Sequence, residues 1–346
     1  MPADAFIHHM PKAELHIHLE GAIEPATLLR LAERNRVALP ADTVDGLQAW
    51  FTFHDFPHFV EIYLTIQSCL RSADDFSLVA YELGADMARQ NIRYREATVT
   101  PYTHLLQEKG LAAEEIIAGL EDGRRRARRD FGVEMRWILD IHRNLPLPDT
   151  AEVTTQLALE WADRGVVALG LSGNEAAAPA ATSFAPWFQR AKAAGLRSTP
   201  HTGELAGPAS VWCAVRDLQA DRIGHGVRSI EDPHLLAFLH ERQIPLEVNP
   251  TSNVCLGIYD SLEQHPFIHL LRMGLCVTVN SDDPPLFNTT LTQEFQRLAE
   301  TFDLDENDLQ ALTLNAVRST FLPADEKRQM EEEFVRQIES YREPLS

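Results

Sequence analysis

The sequence predicts an α/β fold, a TIM-type (β/α)8 barrel with extra helices between strands one and two and a helical C-terminal tail. Three observations carry this expectation. The chain has 346 residues, a length that α/β barrels reach as a single unit. Short apolar runs alternate with amphipathic stretches almost from end to end, the pattern of parallel β/α units. No glycine-rich dinucleotide turn interrupts that alternation, which favours a closed barrel over a doubly wound sheet.

Strands are expected at 13–19, 92–99, 135–141, 166–171, 197–201, 222–225, 245–248 and 276–280. Helices are expected between them at 112–130, 150–164, 184–194, 208–218 and 233–242. The interval from strand one to strand two is too long for one crossover. It holds helical patterns at 25–35, 56–70 and 73–90, read as a wall or lid over the barrel mouth within a helical region spanning 21–91. Residues 291–341 read as a charged helical tail, and residues 1–10 as a polar leader with no packing role. Without internal repeats or a Pro-, Gly- or Ser-rich linker, residues 1–346 are expected to form one domain.

The net charge of −20 argues against a nucleic-acid partner, because phosphate backbones call for clustered Lys and Arg. The one basic run, from Arg124 to Arg129, is interleaved with acids nearby and reads as a solvated helix face. Cys69, Cys213, Cys255 and Cys276 form no C-x-x-C pair, so a reducing cytoplasm is expected. No signal peptide pattern and no uncharged apolar run of membrane-spanning length appears, so no membrane partner is expected.

The chemistry concentrates at strand ends. In Glu14-Leu15-His16-Ile17-His18-Leu19-Glu20-Gly21, strand alternation points His16 and His18 the same way, into the barrel mouth. Alone, that pair reads equally well as half of a zinc site or as two hydrogen-bonded structural histidines. Strand five ends in Pro200-His201-Thr202-Gly203-Glu204, strand six in Gly224-His225-Gly226, and strand eight in Asn280-Ser281-Asp282-Asp283-Pro284. Active sites of such barrels lie at the carboxyl ends of the strands, so these ends deliver ionisable groups to one rim. The other histidines read as bland; His104 and His142 follow strands two and three, and a packing role is expected for both.

With those motifs in place, the chain resembles the adenosine deaminase family of metal-dependent amidohydrolases. The matching stretches run from Pro11-Lys12-Ala13-Glu14 through Gly21, then Leu171-Ser172-Gly173-Asn174-Glu175, His201-Thr202-Gly203-Glu204, Arg222-Ile223-Gly224-His225-Gly226, Pro250-Thr251-Ser252-Asn253 and Asn280-Ser281-Asp282-Asp283-Pro284. The resemblance implies one zinc ion per chain, held by His16, His18, His201 and Asp282, whose chemistry is to activate water near neutral pH. Related two-metal enzymes use a lysine at the end of strand four, where this chain has Leu171-Ser172-Gly173. The resemblance also implies roles. Glu204 would donate a proton to purine N1, His225 would orient the attacking water, and Asp282 would help take its proton. Gly173 would meet N3 through its N–H, Asp283 would meet N7, His18 would also contact the substrate, and Glu20 would face the sugar.

The implied reaction is hydrolytic deamination of a 6-aminopurine. Adenosine or deoxyadenosine is the expected substrate, on the strength of the Pro250–Asn253 loop and the stretch from Phe321 to Lys327. Adenine and aminodeoxyfutalosine are the alternatives, because Glu20 replaces the aspartate of adenosine deaminases and Gly170 and Asn174 stand where acids are expected. Two other classes, a non-purine amidohydrolase and a non-catalytic binding homologue, fit less well. Glu204 and Asp283 match the two nitrogen edges of a purine, and no ligand is missing.

Overall fold

In the computed structural model, which describes residues 3–178 and 180–342, eight parallel strands pair in sequence order. They are β1 (Lys12–His18), β2 (Ile92–Val99), β3 (Glu134–His142), β4 (Val166–Ser172), β5 (Arg197–Thr202), β6 (Ile223–His225), β7 (Leu246–Val248) and β8 (Val277–Val279). A parallel bridge between Ile17 and Asp282 ties the last strand back to the first and closes the barrel. Residues 1–2, 179 and 343–346 of the expected 1–346 domain lie outside the described residues. No described helix is long and apolar enough to cross a membrane.

The strands are covered on both faces, by helices outside and by side chains filling the barrel inside, so most of their polar residues are buried. The buried strand carboxylates of β1, β2 and β7 are paired with arginines. Arg95 of β2 binds Glu14 of β1 at 2.5 Å, and Arg222 before β6 binds Glu96 of β2 at 2.6 Å. An unpaired charge at either position would be strongly destabilising.

The region between β1 and β2 forms helices at Pro25–Asn35, Phe56–Ser68 and Ala73–Arg89, plus a fourth, Val44–Trp50, that the apolar pattern did not reveal. Local chemistry starts two of them. Thr43 caps the Val44–Trp50 helix, and Asp55 accepts from the His58 N–H at 2.8 Å ahead of Phe56–Ser68. The tail forms Leu291–Phe302, Glu306–Ser319 and Ala324–Arg342.

The expectation of a non-packing leader is corrected. Ala3–His9 is a helix against Leu291–Phe302, with Phe6, Ile7 and Met10 fully buried. Each such side chain contributes about 1.5–3 kcal/mol, which outweighs the polar composition around them. The basic run is ion-paired: Arg124 meets Glu121 and Glu134, Arg128 meets Glu134, and Arg129 meets Asp130.

Candidate active site

The ends of β1, β5 and β8 bring His16, His18, His201 and Asp282 together, with one ligand atom from each inside a 4.8 Å sphere of mutual distances. His18 Nε2 lies 3.1 Å from His201 Nε2, and Asp282 Oδ1 lies 3.2 Å from His18 Nε2 and 3.3 Å from His16 Nε2. His16 Nε2 is buried without a hydrogen-bond partner. Three converging imidazole nitrogens and a carboxylate, one nitrogen orphaned, fit a zinc ion in donor type and number. Burial pulls the His16 imidazole down, yet Asp282 and Glu247 outweigh it and raise it to about 10. The same negative field would stabilise a metal cation.

Two of the ligands, His16 and Asp282, are braced from behind. His16 Nδ1 binds Glu247 Oε2 at 2.9 Å, Glu247 Oε1 accepts from Arg222 at 2.5 Å, and Arg222 reaches Glu96, whose other oxygen accepts from the Phe321 N–H at 2.6 Å. A carboxylate behind a ligating histidine fixes its tautomer and raises its basicity. Asp282 adopts φ 62°, a left-handed conformation that costs a non-glycine residue roughly 1–3 kcal/mol. It is held there by the His18 N–H donating to its carbonyl at 2.9 Å, and Ser252 Oγ donates to its Oδ2 at 2.7 Å.

Two further carboxyls face this cluster. Burial, then the charges of Asp282 and Glu175, raise Glu204 to about 8. Burial also raises Asp283 to about 8, with Asp282 adding to it. Both shifts favour the protonated acid. Asp283 needs Gly21: a β-carbon there would lie 1.6 Å from Asp283 Oδ1, which explains the glycine closing the first motif. Glu175, for which the sequence motif suggested no role, fixes the loop bearing Glu204. It accepts from the N–H groups of Gly203, Glu204, Leu205 and Ala206 at 2.9, 3.2, 3.1 and 2.8 Å, and from Ser210 Oγ.

His225 sits at φ 59° at the end of β6, its Nε2 3.7 Å from Glu204 Oε1 and 3.8 Å from Asp282 Oδ2. Burial lowers its pKa to about 3. The amides of Asn253 and Asn249 approach its Nδ1 at 3.1 and 3.3 Å.

A cavity of about 770 Å³, its open mouth included, joins His18, Gly173, His201, Glu204, His225, Asp282 and Asp283 on one wall. The opposite wall is the Phe56–Ser68 helix, with Phe56, Phe59, Val60, Tyr63, Leu64 and Gln67. Glu20, expected on the sugar, is absent from this lining. It is fully buried, accepting from Tyr63 Oη at 3.3 Å, the Thr100 N–H at 3.2 Å and His104 Nε2 at 2.9 Å. Tyr63, which donates to it, lines the cavity. His104 has the expected internal role, while His142 does not: it lines the cavity beside Gly173. Gly170 departs from the family pattern for a steric reason, since a β-carbon there would lie 2.4 Å from the buried Asp140 carboxylate of β3.

Comparison with known proteins agrees with this geometry. The adenosine deaminase family model matches residues 11–337. The chain is 42% identical to the aminodeoxyfutalosine deaminase of Streptomyces avermitilis over 92% of this chain and 89% of that one. It is 35% identical to the adenine deaminase of Crocosphaera subtropica, over 94% and 98%. A zinc-bound amidohydrolase of Burkholderia ambifaria superimposes with a TM-score of 0.87 at 28% identity, covering 98% and 94%. These relatives favour the two alternatives, adenine and aminodeoxyfutalosine, over the expected adenosine. The chain belongs to the adenosine deaminase family and is a hydrolase that deaminates an aminopurine.

Proposed function

We propose that this chain deaminates, at C6, a modified 6-aminopurine nucleoside of the aminodeoxyfutalosine kind, with one zinc ion at His16, His18, His201 and Asp282. The observation that carries the substrate assignment is the cavity's far wall. Phe56, Phe59, Val60 and Leu64 offer an extended apolar surface, no Lys or Arg among the described residues lines the cavity, and Glu20 is turned into the protein. Such a wall suits a bulky, largely apolar extension of the sugar, with an aromatic ring able to pack on Phe56 and Phe59. A hydroxyl that needed Glu20 would find it already engaged by three donors.

Zinc, when bound, supplies the positive charge that lets water lose a proton near neutral pH. The chain's own residues do the rest. Protonated Glu204 donates to purine N1, which takes up charge as C6 becomes tetrahedral; the proton that Asp282 takes from water goes to the leaving ammonia, and the C6 hydroxyl proton returns to Glu204 as the C6 carbonyl forms. Protonated Asp283 donates to N7, and the Gly173 N–H meets N3. His225, neutral, presents a hydrogen-bond donor to the attacking oxygen, and Asp282 accepts that water's proton.

A second reading, free adenine, is favoured by the same engagement of Glu20, which leaves no carboxylate for a sugar. Ammonia release with adenine, adenosine, adenosine monophosphate and aminodeoxyfutalosine separates the two. The expected kcat/KM is highest for aminodeoxyfutalosine, by about tenfold or more over adenine. Adenine in first place would overturn the sugar-side assignment, and no ammonia from any of the four would overturn the reaction.

A further inference from the structure

His265 lies outside the cavity, between β7 and β8, and the reaction as described does not use it. It is 1% exposed and sits just before the Phe267–Arg272 helix. Its Nδ1 is 3.0 Å from the Phe267 backbone N–H. That group can only donate, so Nδ1 must be the unprotonated nitrogen and Nε2 must carry the proton. Nε2 lies 3.1 Å from Asn253 Oδ1 and therefore donates to it. With its oxygen held, the Asn253 amide turns its NH2 toward His225 Nδ1 at 3.1 Å. His225 Nδ1 must then accept, which leaves the His225 proton on Nε2, the nitrogen that faces Glu204 and Asp282.

The geometry points to His265 as a positioning residue that, through Asn253, holds His225 in the Nε2–H tautomer and so makes it a fixed donor at the reaction centre. The direction of every bond in this chain follows from one backbone N–H. Asn249 assists from the other side: its Nδ2 donates to the Glu247 carbonyl at 3.1 Å and approaches His225 Nδ1 at 3.3 Å. Neither amide alone explains why the Asn253 oxygen points away from His225; the His265 proton does. This inference rests on the donor role given to His225 above, and its first readout does not need turnover.

The test uses zinc-loaded full-length protein labelled with 15N-histidine. The His225 ring signals are identified by their loss in His225→Gln, and their shifts report which nitrogen is protonated. Wild type is expected to show Nε2–H. Asn253→Asp, whose carboxylate can only accept, is expected to move the proton to Nδ1 and to lower kcat on the best 6-aminopurine substrate by about a hundredfold. His265→Phe, which keeps the ring's bulk, is expected to lower kcat about tenfold with little change in KM or zinc content. His265→Gln, whose amide N–H can replace Nε2–H, is expected to restore most of that loss. A wild-type Nδ1–H tautomer overturns the proposal, as does an unchanged tautomer in Asn253→Asp. Equal losses in His265→Phe and His265→Gln would mean a packing role and also overturn it. If no 6-aminopurine is turned over, the proposed reaction fails while the tautomer measurement still decides the role of His265.

Discussion

The two walls of the cavity are built on different principles. The strand-end wall is polar, and three of its side chains are held by partners behind them: His16 by Glu247, Asp282 by Ser252 and His225 by Asn253 and Asn249. The lid wall is one helix, Phe56–Ser68, that meets the cavity with apolar side chains, and Leu64 on it is 45% exposed. The difference teaches where each property resides. Reaction chemistry depends on positions fixed to fractions of an ångström, so it sits on strand ends with braced side chains. Selection of the group beyond the purine depends on shape and apolar area, which a single helix face can supply and alter.

Changes at the strand-end wall test the first half of that division. Glu204→Gln should keep zinc and the fold while kcat falls about a thousandfold, as expected for loss of a general acid; near wild-type turnover would remove Glu204 from its role. Asp282→Ala should lose both zinc and rate, and undiminished zinc by elemental analysis would contradict its place as a ligand. Glu247→Ala should weaken zinc binding by about ten- to a hundredfold, measured by chelator competition, because His16 loses the carboxylate that orients it. The proton on Glu204 gives a pH prediction with a definite sign. Activity requires the protonated form, so kcat/KM should fall as pH rises past about 8, and the zinc charge would move this alkaline limb lower. A rate that rises through that range would contradict the donor role.

The same division explains what was legible in the sequence. Strand-end residues announce themselves: His16 and His18 by period two, and His201, His225 and Asp282 by their position after apolar runs and beside Gly or Pro. The barrel followed from the alternation of runs. The braces were not legible, because Glu175, Glu247 and His265 lie far in sequence from what they hold and carry no local pattern. Glu20 was legible as a departure from the family but not as a buried group, since its partners Tyr63, Thr100 and His104 come from three other segments. His142 was hidden because strand alternation says which way a side chain points and not whether a cavity opens there. The amino-terminal helix was missed because three buried apolar residues, Phe6, Ile7 and Met10, are too few to show a period among polar neighbours.

The most direct test of the division between walls is a substitution on the lid wall alone. Leu64 lines the cavity and is exposed enough that Leu64→Ala should not disturb the fold. The measurement is kcat/KM for aminodeoxyfutalosine and for adenine in wild type and in Leu64→Ala, at equal zinc content. The account predicts about a tenfold fall for aminodeoxyfutalosine, in line with the burial of one leucine side chain, and no change for adenine. Equal falls for both substrates, or a fall for adenine alone, would contradict it.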